Sequence, residues 1–128
     1  MNGGRQQMTE YSCVKGLTSL ICLTFDTDHM TELQMTRFVE TVSFPGHGTF
    51  FCTQSYASLQ NRGHETGPHP YLENCNDWQG VMEVESLLFP EAVSLRTHSC
   101  LTSHNLLIWL NKSGFRYLST QEEFGKKY

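Results

Sequence analysis

Strand-like and helix-like segments take turns along this chain, each joined to the next by a short turn, and that alternation restricts the fold more than any other feature. It is the sign of βαβ units and a parallel sheet. "LTSLICLTF" (17–25) is a near-continuous apolar, β-branched run, as expected of a strand covered on both faces. The spacing predicts a helix over 31–42, with Met35, Phe38, Val39 and Val42 on one face and a capping box between Thr31 and Gln34. Pro45, Gly46 and Gly48 break the chain before a second strand, "TFFCT". "SYASLQNRG" (55–63) reads as a short helix, "HETG" as a third strand and "PHPYLENCNDWQG" as loop. "VMEVESLLF" is helical as far as Pro90, and "AVSLR" is a strand. A helix follows, with Thr102 or Ser103 as N-cap and Gly114 at its end, and "FRYLS" closes the series. Phe50, Phe51, Trp109 and Leu110 read as core. Residues 1–16 form a loose lead-in, and 17–128 are expected to make one α/β domain.

Composition narrows the function classes. A formal net charge of −4, and no basic stripe with interleaved aromatics, argue against binding nucleic acid or an anionic membrane surface. No apolar run approaches the roughly 20 residues of a membrane span, and the polar start lacks the apolar core of a signal peptide. Five scattered cysteines without CxxC spacing suggest neither a zinc knuckle nor a disulfide scaffold. Cys22 and Cys52, inside apolar runs, read as small core residues. Together these features predict a reduced, cytoplasmic protein, and they leave oligomerisation open.

"CLTFDTDHM" places Asp26 and Asp28 two residues apart where a buried-looking strand ends. Left alone, two such acids raise each other's pKa and cost stability. A divalent ion, or an arginine plus an ion, removes the conflict, and one carboxylate then stays free as a base. The remaining ligands should be histidines, of which the chain has six. None lies in HExxH. Asp26, Asp28, "HETGPH" and "RTHS" all follow predicted strands, where sites in parallel α/β folds gather.

In order and spacing, "LTFDTD", "GTFF", "GHETGPHP" and an arginine followed by "GFRYLST" resemble the NodB-homology polysaccharide deacetylases, the family-four carbohydrate esterases. The match runs over residues 20–120. The resemblance implies a partial or distorted (β/α) barrel and metal-dependent N-deacetylation of an amino sugar or surface polysaccharide. It implies Asp26 as catalytic base, Asp28 and His69 as metal ligands, and Arg96 as the group that orients the base. The position four residues after His69, where the family has its second metal histidine, is Glu73. The arginine–x–histidine pattern of "LRTHS" resembles a divergent WbmS-type branch, and His98 is the preferred third ligand, with Glu73 the alternative. Arg96 and His98 are two apart, so both can face one side if the chain stays extended. The family's late catalytic histidine has no counterpart after "YLST", and the chain corresponds to roughly the first two-thirds of a NodB-type barrel.

Plainer readings stand beside these. An Asp-x-Asp at a strand end is commonly a solvated turn, His69 between two prolines could be a simple loop residue, and Arg96 could be a solvated charge. His64 is expected to pack or hydrogen-bond near its strand, His29 to point elsewhere, and His47 and His104 to lie at the surface or at caps. The expectation adopted is a C–N hydrolase that holds a divalent ion, zinc favoured, on Asp28, His69 and His98. Its partner is a carbohydrate or N-acetylated sugar. The alternative is a truncated, non-catalytic carbohydrate-binding domain that retains the metal site.

Overall fold

The computed structural model describes residues 22–43 and 46–120. The expected lead-in, the start of the first predicted strand and Pro45 lie outside them. Strands and helices alternate as the sequence predicts. β1 (Thr24–Thr27), α1 (Glu32–Thr41), β2 (Thr49–Cys52), α2 (Ala57–Gln60) and β3 (Glu65–Pro68) come first. Then follow α3 (Trp78–Leu88), β4 (Ser94–Leu95), α4 (His104–Ser113) and β5 (Tyr117–Leu118). β1, β2 and β3 form one parallel sheet in that order, with Asp26 opposite Phe51 and Phe51 opposite Gly67. β4 and β5 form a second parallel pair.

Main-chain bonds tie the two sheets together beyond the strands. The Arg96 N–H donates to the Pro68 carbonyl at 3.2 Å and the His98 N–H to the Pro70 carbonyl at 2.9 Å. Residues 96–98 therefore run beside 68–70, which brings the "HETGPH" and "LRTHS" segments to one rim. Gly67 makes this approach possible, because a Cβ there would run into the Ser94 carbonyl oxygen. The described residues give parallel sheets in a mixed α/β fold and do not show a barrel.

Each sheet has its own apolar cluster. Met35 and Val39 of α1 meet Phe50, Cys52, Tyr56, Leu59 and Phe89, while Met82, Leu95, Leu106 and Leu110 form the second group. Phe50, Phe51 and Leu110 are buried as expected, and Trp109 packs partly buried against the second group. Cys22 is exposed, contrary to its reading as a core residue, because it precedes β1 rather than lying within it.

The caps follow sequence chemistry. The Thr31 hydroxyl accepts from the Gln34 N–H at 3.2 Å, and the Gln34 side chain accepts from the Thr31 N–H at 2.8 Å. Ser103, not Thr102, caps α4, and Gly114 ends it with φ of 88°. α3 begins earlier than the loop reading allows, since Asp77 accepts from the Gly80 N–H at 3.0 Å and starts the helix at Trp78. A 3-10 turn, His98–Cys100, was not legible in "THSC"; Ser99 and Cys100 both take positive φ.

Candidate functional site

Alternation along β1 puts Thr24 and Asp26 on one face, and one side chain collects both. The Arg96 guanidinium donates to Asp26 Oδ1 at 2.8 Å, to Thr24 Oγ1 at 3.1 Å, and twice to Ser119 Oγ, at 2.8 and 3.0 Å. Its carbon lies 4.5 Å from the centre of the Phe51 ring, a cation–π contact. Arg96 thus joins the ends of β1, β4 and β5 over the side of β2. The two acids of "FDTD" do not share a partner. Asp26 belongs to the arginine.

Asp28 lies past the strand in a turn in which His29 takes φ of 54°. Its Oδ1 is 3.2 Å from His69 Nε2 and also accepts the Tyr71 hydroxyl. His69 itself is buried, flanked by the fully buried Pro68 and Pro70. Its Nδ1 is 2.7 Å from the Arg96 carbonyl oxygen. A carbonyl only accepts, so Nδ1 carries the proton and, in the neutral ring, Nε2 turns a lone pair towards the Asp28 carboxylate. Two acceptors face one another there. Either a proton on Nε2 or a cation against both atoms reconciles them.

Burial pushes the Asp28 carboxyl up, but the Tyr71 hydrogen bond and the charges of His69 and His98 outweigh it and hold the group below its ordinary value. The same hydrogen bond, with burial and the nearby carboxylates of Asp28 and Glu73, raises the Tyr71 phenol to about 12.

His98 stands at the edge of this pair. Its ring centre is 5.7 Å from that of His69, and the ring stacks on Tyr71 at 4.0 Å. Its Nδ1 is 2.5 Å from Glu73 Oε1. Glu73 is therefore engaged with His98 and not with the Asp28–His69 pair. Among the described residues no group of three His, Cys, Asp or Glu side chains is gathered to hold an ion. The donor types nonetheless suit a divalent ion: a carboxylate and an imidazole lone pair converge, and a second imidazole lies beside them.

Of the other histidines, His29 also lines the cleft beside Tyr71. His64 Nδ1 accepts from the Gly48 N–H at 3.1 Å, with its ring 5.0 Å from Phe50. His29 faces Tyr71 across 5.5 Å between ring centres, His47 is exposed beside His64, and His104 opens α4.

Tyr71, Ser119 and Thr24 were missed by sequence reasoning. Each sits near a quoted motif, but no spacing rule marks a hydroxyl for the carboxylate or arginine that the fold brings to it. Beside the Asp28–His69 pair opens a cleft of about 690 Å³, walled by His69, Tyr71, the start of α1, residues 53–54, and Val81 and Glu85 of α3.

A rim of acids and histidines at the carboxyl ends of parallel strands is where an α/β protein of this class places a site. The WbmS-like polysaccharide deacetylase family matches residues 23–122, and the chain belongs to that family. No curated protein matches the sequence. Among solved structures it is similar to WbmS from Bordetella bronchiseptica, described provisionally as a polysaccharide deacetylase involved in O-antigen biosynthesis. Identity to that protein is 25%, with a TM-score of 0.66 over 75% of this chain. The chain spans 44% of the length of that structure. Among the described residues no helix is long and apolar enough to cross a membrane.

Proposed function

We propose that the chain carries the site of a metal-dependent hydrolase that removes the acetyl group from an amino sugar of a polysaccharide. Family membership supports the deacetylase class. The observation that carries the metal is the approach of His69 Nε2 to Asp28 Oδ1 at 3.2 Å with Nδ1 already bonded to the Arg96 carbonyl. Asp28 and His69 would hold a divalent ion, zinc favoured, with His98 as third donor once its ring leaves Glu73. When bound, the ion supplies Lewis-acid polarisation and a lowered water pKa.

The chain's own groups do the rest. Arg96 fixes one Asp26 oxygen at 2.8 Å, which leaves the other to take a proton from the attacking water. The same residue's carbonyl sets the His69 tautomer, so Arg96 positions both halves of the site. Tyr71 holds Asp28 and supports the His98 ring, and keeps its own proton at neutral pH. The test is release of acetate from N-acetylated oligosaccharides, with and without added zinc. Zinc-dependent release is expected, and none from any N-acetyl sugar would overturn the reading. A second reading, a carbohydrate-binding domain without turnover, is favoured by the capture of His98 by Glu73. Sugar binding without acetate release would select it.

A further inference from the structure

The cleft contains an acid that the proposed chemistry does not use. Glu85 lies on α3 one turn beyond Val81, and both line the cleft that His69 and Tyr71 share. Its Oε2 is shielded from solvent and has no hydrogen-bond partner. Buried carboxyl oxygens are rarely left so, and an orphaned one on the wall of a cavity calls for a ligand. Two other polar side chains of the cleft are already engaged: Glu32 Oε1 accepts the Ser58 N–H at 3.1 Å, and Gln54 Nε2 donates to the Met30 carbonyl at 2.9 Å.

We propose that Glu85 is a substrate-contacting residue of this cleft, its carboxyl receiving an uncharged hydrogen-bonding group, the acetamido or hydroxyl group of an amino sugar. This rests on the carbohydrate reading above and names a group that would recognise the sugar. Burial alone pushes the Glu85 carboxyl up to about 7, so near neutrality it is protonated for a large part of the time. In that form it both donates and accepts, so it can donate to the acetamide carbonyl or accept from the amide N–H or a hydroxyl. An anionic ligand gains nothing from such a group, and a cationic one would draw it towards ionisation.

The test is binding of N,N′-diacetylchitobiose, followed by nuclear magnetic resonance, to the wild-type chain and to Glu85→Ala and Glu85→Gln. Glucosamine serves as the cationic control, and thermal unfolding verifies that each variant is folded. Glu85→Ala should weaken the sugar about tenfold. Glu85→Gln, which keeps a donor and an acceptor, should stay within about threefold. Equal binding by Glu85→Ala and wild type overturns the proposal and leaves the deacetylase reading intact. So does tighter binding of glucosamine, or no binding of the disaccharide by the wild type. Weakened binding in Glu85→Ala together with no hydrolysis by the wild type removes the deacetylase reading and leaves Glu85 as a sugar contact.

Discussion

The two aspartates of "FDTD" are chemically identical and two residues apart, yet they live in opposite circumstances. Around Asp26 a donor faces an acceptor: the guanidinium meets Oδ1, also reaches Thr24 and Ser119, and rests its face on Phe51. Around Asp28 an acceptor faces an acceptor whenever the His69 ring is neutral, because its one proton then lies on Nδ1 against the Arg96 carbonyl. The first contact pairs opposite charges as it stands. The second is reconciled by a proton on Nε2 or by a cation, and that asymmetry separates the positioning pair from the pair proposed to bind an ion.

The sharpest way to break the comparison is to remove the Asp28 side. Asp28→Ala and His69→Ala should each lower divalent-metal affinity by more than the roughly 100-fold that loss of an outer partner costs, and hydrolysis should vanish with it. Metal analysis of purified protein measures this, and normal occupancy in both variants would remove the assignment. Next in size is Asp26→Asn, expected to cut turnover by about 10²–10³-fold while metal content stays normal, since a base must be ionised and a bystander to the ion need not be. If Asp26→Asn emptied the site as thoroughly as Asp28→Ala, the two roles would have to be exchanged.

Arg96→Met tests the Asp26 side. It leaves Asp26, Thr24 and Ser119 without their shared donor but keeps the main-chain carbonyl that orients His69. Loss of about 2 kcal/mol of stability by chemical denaturation is expected, with metal affinity changed far less than by Asp28→Ala. Metal loss in Arg96→Met equal to that in Asp28→Ala would show the two sides to be one unit.

The smallest effect belongs to the cleft wall. The Glu85 carboxyl has an ordinary value of 4.5 and here lies at about 7, so between those limits the folded chain binds more protons than the unfolded one. Stability contributed by protonated Glu85 is present below about 4.5 and is lost as pH rises through 7. For a partly exposed group the loss is on the order of 1 kcal/mol after solvent screening. Glu85→Gln should abolish this slope in unfolding experiments run from pH 5 to about 8. A slope unchanged in Glu85→Gln would assign it to another group.

Local chemistry was legible where it is local. The Thr31–Gln34 capping box, the Ser103 cap and the Gly114 terminus need only neighbours in sequence, and the strand–helix alternation needs only periodicity. The motif resemblance singled out Asp28 and His69, which the fold brings together, and Arg96 and Asp26, which it pairs. The partner of His98 was not legible. The chain stays extended through Thr97, as expected, and carries the His98 ring to 5.7 Å from that of His69, but Glu73 engages its Nδ1, and a 3-10 turn with positive φ at Ser99 and Cys100 follows. No pattern in "LRTHS" encodes that turn, because the Thr97 hydroxyl closes it by donating to the Leu101 carbonyl, and the His98 N–H is held by Pro70 of another loop.

By itself, then, the sequence determined a parallel α/β chain with an acid pair, a histidine between prolines and an arginine at strand ends, since period, caps and motif spacing are properties of neighbours. Only the tertiary structure decided which acid each partner takes. Arg96 lies 70 residues from Asp26 and Tyr71 lies 43 from Asp28, and such pairings exist only once the sheet has formed and, for Arg96, once β4 has closed over Gly67. Tertiary structure also left Glu85 Oε2 without a partner beside the cleft, because burial and hydrogen-bond supply are set by surfaces that meet only in the folded chain.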